Sequence, residues 1–229
     1  MRFWGYGSAF NPAFGNTCAY FERERALFLI DCGELVFSQL FKREMLKKYE
    51  NIYILITHTH ADHIGSLGSV ISYTYYVLGK QVTVIHPTPE LWKILDLMGI
   101  DRAAYIRNET DRLSLLGLWI EAIPVKHASD IHCYGYLLSD DKKTIYYSGD
   151  SYEIPTSVLR EFLNGHIDEL YQDTTNQVSV HRSHFPLCEL ADVIPGELRN
   201  KVFCMHFTSD FSEEIKTLGF SNVMGLVEW

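Results

Sequence analysis

Short apolar runs and amphipathic stretches alternate along the whole chain. Runs of about five apolar and β-branched residues between polar turns predict strands, whereas apolar residues three and four positions apart predict helices. The predicted strands cover 17–21, 26–31, 52–56, 82–86, 113–116, 118–125, 133–138, 144–147, 169–171 and 201–205. The predicted helices cover 35–49, 62–78, 87–98, 155–163, 184–194 and 212–218.

These elements form two successive halves, and each half mixes strands with helices. Two sheets packed against each other, with helices outside both, accommodate this order and predict a layered α/β fold. A chain of 229 residues is long enough for one substantial core. Because no linker, internal repeat or low-complexity segment interrupts the pattern, we predict a single domain over residues 1–229.

Composition narrows the functional classes. Hydrophobic residues make up 47% of the chain and charged residues 21%, which is typical of a globular protein. The net charge of −9 disfavours extensive nucleic-acid binding, which depends on Lys and Arg contacts to phosphate. Apolar runs such as 26–30 and 52–56 are too short to span a bilayer. The first residues lack the pattern of a signal peptide, so we expect a cytoplasmic protein without membrane partners.

The five cysteines show no Cys-x-x-Cys spacing, and their number is odd. This usage predicts free, mostly buried thiols in a reducing compartment. Cys188 falls in a predicted helix and Cys204 in a predicted strand, so we interpret both as core residues rather than ligands.

A dense cluster of metal-binding side chains follows the predicted strand 52–56. The segment 58–63 reads His-Thr-His-Ala-Asp-His, which places His58, His60, Asp62 and His63 within six positions. Imidazole and carboxylate ligands together suit Zn²⁺, or less tightly Fe²⁺ or Mn²⁺. Scattered surface histidines do not account for such spacing, so the segment predicts a metal site.

Three further polar residues each follow an apolar strand: His127, Asp150 and His206. Strand ends at one edge of a layered fold converge, so these side chains can complete the site. His86, His132 and His166 fall outside the pattern and are interpreted as structural or surface residues, although His132 is close enough to His127 in sequence to contact a substrate.

The chain resembles the metallo-β-lactamase superfamily over nearly its whole length. The resemblance lies in the order of four features: the His-x-His-x-Asp-His segment, the single His, the Ser-Gly-Asp segment and the late His. The resemblance implies a four-layer αββα sandwich and two divalent metal ions, Zn²⁺ with Mn²⁺ as the alternative. The implied ligands are His58, His60 and His127 for one metal, Asp62, His63 and His206 for the other, and Asp150 as the bridge. Such a centre carries a net charge of about +1, which favours a small anionic substrate.

The segment Asp31-Cys32-Gly33-Glu34 resembles the tRNase Z branch of that superfamily, which cleaves phosphodiesters. There the Asp orients metal-binding histidines, a role that the resemblance implies for Asp31. Residues 171–175 and 181–183 resemble two further segments of this branch. They imply that Asp173 holds His181 as the general acid, with His184 as the alternative, and that Ser183 caps the following helix. Asp62 is counted with Asp173 and His181 as catalytic.

The long arm with which tRNase Z enzymes grip tRNA has no counterpart between His127 and Asp150, where hairpin strands occupy most of 128–149. The missing arm and the acidic charge favour a small phosphodiester. In size and motif pattern the chain resembles the anti-Pycsar cyclic nucleotide phosphodiesterases. This resemblance implies hydrolysis of 3′,5′-cyclic nucleotides to nucleoside 5′-monophosphates, a phage anti-defence role in the host cytoplasm, and a homodimer.

Three alternatives remain open at this level. An arm-less RNase Z-like ribonuclease or tRNA 3′-processing endonuclease needs a basic track that leads to the metals. A lactonase or thioesterase of the same fold has no use for the Asp31 and Asp173 features. A non-catalytic protein that only sequesters a nucleotide has no reason to keep a full set of ligands.

Overall fold

Two mixed β-sheets pack face to face in the computed structural model, which describes residues 1–178 and 182–228. The strands of the first sheet, in order across it, are β1 (Arg2–Gly5), β2 (Cys18–Arg23), β3 (Ala26–Ile30), β4 (Asn51–Leu55), β5 (Val82–Ile85) and β6 (Tyr105–Asn108). The strands of the second sheet, in chain order, are β7 (Arg112–Leu115), β8 (Leu118–Val125), β9 (Cys133–Ser139), β10 (Thr144–Tyr147), β11 (Glu169–Thr175), β12 (Phe185–Pro186), β13 (Val202–Met205) and β14 (Ser221–Asn222). Across that sheet the order is β14-β13-β11-β10-β9-β8-β7, and β12 pairs with β11.

Helices cover the outer faces of both sheets. In chain order they are α1 (Val36–Lys42), α2 (Met45–Lys48), α3 (Ala61–Ile64), α4 (Leu67–Ser72), α5 (Glu90–Leu97), α6 (Thr156–Leu163), α7 (Leu187–Val193) and α8 (Ser212–Thr217). A π-helical turn covers Tyr73–Val77, and 3₁₀ turns cover Pro12–Phe14, Arg102–Ala104, Gly196–Lys201 and Met224–Leu226. Among the described residues, none of these helices is long and apolar enough to cross a membrane.

The side chains of β3 separate the two apolar layers of the first sheet. Ala26, Phe28 and Ile30 belong to the core that the two sheets share, whereas Leu27 and Leu29 belong to the core beneath α1, α2, α4 and α5. Every residue of β3 is buried, because successive side chains of a strand point to opposite faces and both faces are covered. The predicted arrangement of two sheets with helices outside them is therefore confirmed.

Strand direction brings the candidate site residues to one region. In the first sheet β3, β4 and β5 run parallel, and in the second sheet β10, β11 and β13 do so. β8 runs in the same direction as β10, since both are antiparallel to β9. The two sheets are tied near this edge by the Tyr136 hydroxyl, which donates to the carbonyl of Ile56 over 2.8 Å.

Two predicted helices are each interrupted. The helix predicted over 35–49 is divided into α1 and α2 because Glu44 adopts a left-handed conformation, with φ of 54°. The helix predicted over 62–78 is divided after α3, where Ser66 bonds to another loop: its hydroxyl donates to the carbonyl of Gly33 over 2.5 Å and accepts from the backbone N–H of Phe37 over 3.0 Å. Apolar periodicity does not report such competing contacts.

Three further expectations are wrong in detail. β11 extends to Thr175, four residues beyond the predicted strand, because this end is buried and is paired first with β13 and then with β12. The helix predicted over 184–194 begins only at Leu187, so Ser183 is not its N-cap. Cys188 is exposed on α7, whereas Cys204 is buried as expected. β1, β6, β12 and β14 are strands that the pattern did not predict.

Candidate metal centre

Three histidines from two loops form the first donor cluster. His58 and His60 lie on the loop after β4, and His127 lies on the loop after β8. One ring nitrogen of each falls within 4.8 Å of the others. Nδ1 of His60 lies 3.0 Å from Nε2 of His58 and 3.3 Å from Nε2 of His127. Three imidazole nitrogens that face one point form a donor set that fits a divalent transition metal.

The second donor cluster is fully buried. Asp62, His63, Asp150 and His206 each place one ligand atom within 4.8 Å of the others. Asp62 and His63 lie on α3, Asp150 follows β10, and His206 follows β13. Oδ2 of Asp62 lies 3.2 Å from Nε2 of His63 and 3.3 Å from Nε2 of His206. Mixed imidazole and carboxylate donors of this kind also fit a divalent metal.

Asp150 faces both clusters with different oxygens. Its Oδ2 lies 3.8 Å from Nε2 of His58 and 3.6 Å from Nε2 of His127. Its Oδ1 lies 3.3 Å from Nε2 of both His63 and His206. The backbone before it is held by Gly149, where φ is 58° and a Cβ would approach the Tyr134 carbonyl and Thr57 to within 3.0 Å. One carboxylate is therefore positioned between the two donor clusters.

Asp31 orients the first-sheet side of the centre. Its buried carboxylate accepts the backbone N–H of Thr57 over 2.8 Å and faces Nδ1 of His63 at 2.8 Å. The Thr57 hydroxyl lies 2.9 Å from Oδ2 of Asp31 and 3.0 Å from Nδ1 of His58. When this hydroxyl donates to Asp31 it accepts from His58, which leaves Nε2 of His58 directed at the first cluster and Nε2 of His63 directed at the second. Carboxylates commonly fix metal-binding histidines in this way.

The loop that carries Asp31 is also bonded to the loop that carries the ligands. The backbone N–H of Cys32 donates to the carbonyl of His63 over 2.7 Å. Gly33 lies directly against this segment, and a Cβ at that position would collide with the carbonyl oxygen of Asp62. The Asp-Cys-Gly sequence thus serves close packing of two backbones as well as the placement of one carboxylate.

Asp173 plays a similar part on the second-sheet side. Its buried Oδ2 accepts the backbone N–H of Ser151 over 2.9 Å and lies 2.7 Å from Nδ1 of His184. Its Oδ1 lies 3.6 Å from Nδ1 of His206. The carbonyl of Ser183 accepts Nδ1–H of His127 over 2.7 Å, so the segment at 183–184 contacts both clusters. His181 lies outside the described residues.

The two clusters differ in electrostatics. Burial lowers the pKa of His58 well below its usual value and lowers that of His60 as well, so these imidazoles are neutral donors. Burial also acts to lower the pKa of His63, but the carboxylates of Asp150 and Asp31 outweigh it and raise this pKa well above its usual value. The second cluster therefore favours a positive charge at its centre.

His206 and His184 follow the pattern of His63. Burial is opposed by the carboxylates of Asp150, Asp173 and Asp62, which raise the pKa of His206 to about 10. At His184 the carboxylate of Asp173 outweighs burial and raises the pKa. Nε2 of His63 is buried and makes no aligned hydrogen bond among the described residues, although carboxylate oxygens of Asp62 and Asp150 lie 3.2 and 3.3 Å away. A cation in the second cluster would satisfy this nitrogen and replace the protons that the carboxylates attract.

A cavity of about 420 Å³ opens onto both clusters. Its lining residues are Ser8, Ala9, Phe10, His60, Ala61, Asp62, His127, Ala128, Asp150, Ser183, His184, His206 and Thr208. The structure thus brings together all seven predicted ligands, with Asp31 and Asp173 behind them. Thr57 and Phe10 were missed as site features, whereas the contact between His184 and Asp173 is the arrangement that the sequence left open as the alternative to His181. His86 is buried and bonds to the carbonyl of Ile56, whereas His132 and His166 are exposed.

The model of the anti-Pycsar protein Apyc1 family matches residues 1–228. The chain belongs to this family. It is 27% identical over 241 residues to the anti-Pycsar protein Apyc1 of Bacillus phage BSP38, which covers 93% of this chain and 90% of that relative. The predicted resemblance to anti-Pycsar proteins is confirmed.

Solved structures show the same fold as this anti-Pycsar family member. The metallo-β-lactamase fold protein YhfI from Bacillus subtilis superposes with a TM-score of 0.75 at 16% identity, over 96% of this chain and 92% of YhfI. The short form of human tRNase Z superposes with a TM-score of 0.68 at 18% identity, over 90% of this chain and 92% of that enzyme. The predicted metallo-β-lactamase fold is therefore confirmed.

Replacing Asp31 by Asn tests its part in the centre. An amide keeps the size but offers one acceptor oxygen in place of two, so the substitution frees either His63 or Thr57. We expect Asp31→Asn to weaken Zn²⁺ binding about 10- to 100-fold, measured by competition with a chromogenic chelator. Asp141→Asn, at an exposed turn, is the control and keeps the wild-type affinity. Equal affinities for the two variants contradict this role of Asp31.

Proposed function

We propose that this protein is a metal-dependent phosphodiesterase that hydrolyses 3′,5′-cyclic nucleotides to nucleoside 5′-monophosphates, as a phage anti-defence enzyme acting in the host cytoplasm. The observation that carries the proposal is the composition of the cavity above the donor clusters. Five of the seven candidate ligands and a further histidine, His184, line it together with small or apolar residues, and the other two ligands complete the clusters beneath. Membership of the anti-Pycsar family, as its name implies, supports an anti-defence role.

Charge at the cavity supports a small substrate rather than RNA. No Lys or Arg lines the cavity in the part of the chain that the structure describes. The basic residues next to the lining segments are engaged elsewhere: Lys126 pairs with Glu153 at 3.0 Å, and Arg182 pairs with Glu189 at 2.9 Å. A long polyanion needs several free cationic contacts along its backbone. One phosphodiester at a metal centre does not.

The donor clusters fit two divalent ions, which we propose are Zn²⁺, with Mn²⁺ as the alternative. His58, His60 and His127 would hold one ion, and Asp62, His63 and His206 would hold the other. Asp150 would bridge them, since its two oxygens face different clusters. When bound, such ions polarise the phosphoryl oxygens and lower the pKa of water near phosphorus. The seven side chains would fix the positions of the ions, and through them the position of a phosphodiester bound in the cavity.

His184 is the residue that we propose as the general acid. Its Nδ1 faces the buried Asp173 carboxylate at 2.7 Å, which leaves Nε2 available for another partner. Its ring centre lies 5.3 Å from that of His127 and 5.0 Å from that of His206, so the imidazole stands beside both clusters. As water adds to phosphorus and the bond from phosphorus to the ribose 3′ oxygen breaks, a proton on Nε2 can pass to that oxygen. Asp173 holds the imidazole in the orientation for this transfer.

The direct test is an assay of the metal-loaded protein on 3′,5′-cyclic AMP, GMP, CMP and UMP, with products separated by chromatography. We expect nucleoside 5′-monophosphates from the wild-type protein and no turnover after treatment with a chelator. Asp150→Ala removes the carboxylate between the clusters and should abolish activity. A short RNA and a lactone are assayed alongside. Four intact cyclic nucleotides, or preferential cleavage of either comparison substrate, overturn the proposal.

A leaving-group comparison tests the role of His184. We expect His184→Asn to lower kcat on a cyclic nucleotide about 10²- to 10⁴-fold, since the departing ribose oxygen is strongly basic. Loss of kcat on bis(p-nitrophenyl) phosphate should be much smaller, because nitrophenolate leaves without a proton. His166→Asn, at an exposed site paired with Glu161, is the control. The same two substrates are used with His181→Asn. If only this variant loses kcat selectively on the cyclic nucleotide, His181 is the general acid and His184 is not.

A homodimer is also part of the proposal. It rests on the resemblance to families in which two subunits face each other, and on apolar side chains exposed on the helices outside the first sheet. Phe41, Tyr76 and Val77 are all more than half exposed there. Burying such side chains between two copies would remove apolar surface from water. We expect the mass of a dimer in sedimentation equilibrium, and the mass of a monomer contradicts this.

A further inference from the structure

An aromatic side chain stands almost free in solvent at the mouth of the metal-site cavity. Phe10 is 97% exposed, yet it lines the same cavity as His60, His127 and His184. Leaving a phenyl ring in water forgoes the stabilisation that burial of such a side chain provides. A single exposed ring needs no explanation elsewhere on the surface, but a ring that lines a functional cavity is available to contact a ligand there.

The backbone holds Phe10 at the tip of a braced turn. The N–H of Asn11 donates to the carbonyl of Ser8 over 3.0 Å, which closes a β-turn with Ala9 and Phe10 at its centre. The N–H of Ser8 donates to the carbonyl of Phe207 over 3.0 Å, and the side-chain amide of Asn11 donates to the carbonyl of Thr208 over 3.0 Å. The turn is thus fastened to the segment that directly follows His206.

The part of the cavity lining next to Phe10 carries no charged side chain, so it suits the uncharged part of a substrate. The wall next to Phe10 consists of Ser8, Ala9 and Thr208, with Ala128 also in the lining. The hydroxyls of Ser8 and Thr208 are buried and have no hydrogen-bond partner among residues 1–178 and 182–228. With its volume of about 420 Å³, the cavity falls within the range of about 300–1,000 Å³ typical of small-molecule sites.

We propose that Phe10 is the nucleobase platform of this site: the base stacks on its ring while the phosphodiester lies at the donor clusters. This inference rests on the proposed function and assigns a binding residue that the metal chemistry does not require. Stacking suits the position because every nucleobase offers a π face, and a braced turn loses little conformational freedom when it binds. Phe10 accordingly contributes to substrate affinity rather than to the breaking of the bond.

Steady-state kinetics with two substrates test the platform. One is 3′,5′-cyclic AMP, and the other is ribose 3′,5′-cyclic phosphate without a base. We expect Phe10→Ala to raise KM for cyclic AMP about 5- to 100-fold, with kcat nearly unchanged. KM for the base-free substrate should stay the same, and Phe10→Trp should restore the wild-type KM for cyclic AMP. Trp119→Ala removes an exposed aromatic ring on β8 that lies outside the cavity and should change neither.

Binding is measured as well, so that a failure of the proposed phosphodiesterase function can be distinguished from a failure of the proposed role of Phe10. Isothermal titration of the metal-loaded protein with the phosphorothioate analogue of cyclic AMP gives Kd without turnover. If the wild-type protein binds the analogue but cleaves no cyclic nucleotide, the proposed function fails, and the ratio of Kd values still tests Phe10. The role of Phe10 as a platform is overturned if Phe10→Ala affects both substrates equally or affects neither. It is also overturned if the wild-type protein does not bind the analogue, or if Phe10→Ala converts a dimer to a monomer.

Discussion

The buried carboxylate of Asp31 is the interaction on which the rest of the centre depends. A carboxylate taken out of water is costly unless hydrogen bonds replace its hydration, and here Thr57 and His63 provide them. The same bonds fasten the end of β3 to the ligand-bearing loop after β4. Through the Thr57 hydroxyl, His58 is oriented too. One charge thus couples the position of a backbone segment to the orientation of two imidazoles in different donor clusters.

Asp173 is the corresponding buried carboxylate on the side of the second sheet, but its two oxygens contact residues with different proposed roles. Its two oxygens face His184 and His206, one a candidate proton donor and the other a candidate ligand. The centre therefore has a buried carboxylate behind each half and Asp150 between the halves. Free cationic side chains are missing from the cavity lining among the described residues. Recognition of an anion is consequently left to whatever cations the clusters hold, which suits a ligand with a single phosphodiester.

Much of this architecture could be predicted from sequence because it follows from strand ends. His127, Asp150 and His206 each come directly after an apolar strand, and parallel strands end at one edge. Interactions that depend on loops could not be predicted in this way. The division of the 62–78 helix at Ser66 reflects its backbone N–H, which donates to the carbonyl of Cys32, more than thirty positions away, and not to a carbonyl four residues back. The contact of His184 with Asp173 depends on how the chain turns before α7, where helical periodicity placed the start of a helix. Phe10 reaches the cavity only because its turn is bonded to residues near the other end of the chain.

The left-handed backbone at Asp31 and His206 affects which substitutions can accumulate at these positions. Both residues have positive φ, 69° and 66°, in a region that costs a side chain other than glycine about 1–3 kcal/mol. Glycine relieves that strain, and asparagine relieves part of it, yet neither supplies the carboxylate at the first position or the imidazole at the second. At Asp31 the relief of strain is offset, because Thr57 and His63 would lose the carboxylate that satisfies their buried N–H groups. A lineage released from the need for activity would therefore show glycine or asparagine at the end of β13 before it shows them at the end of β3.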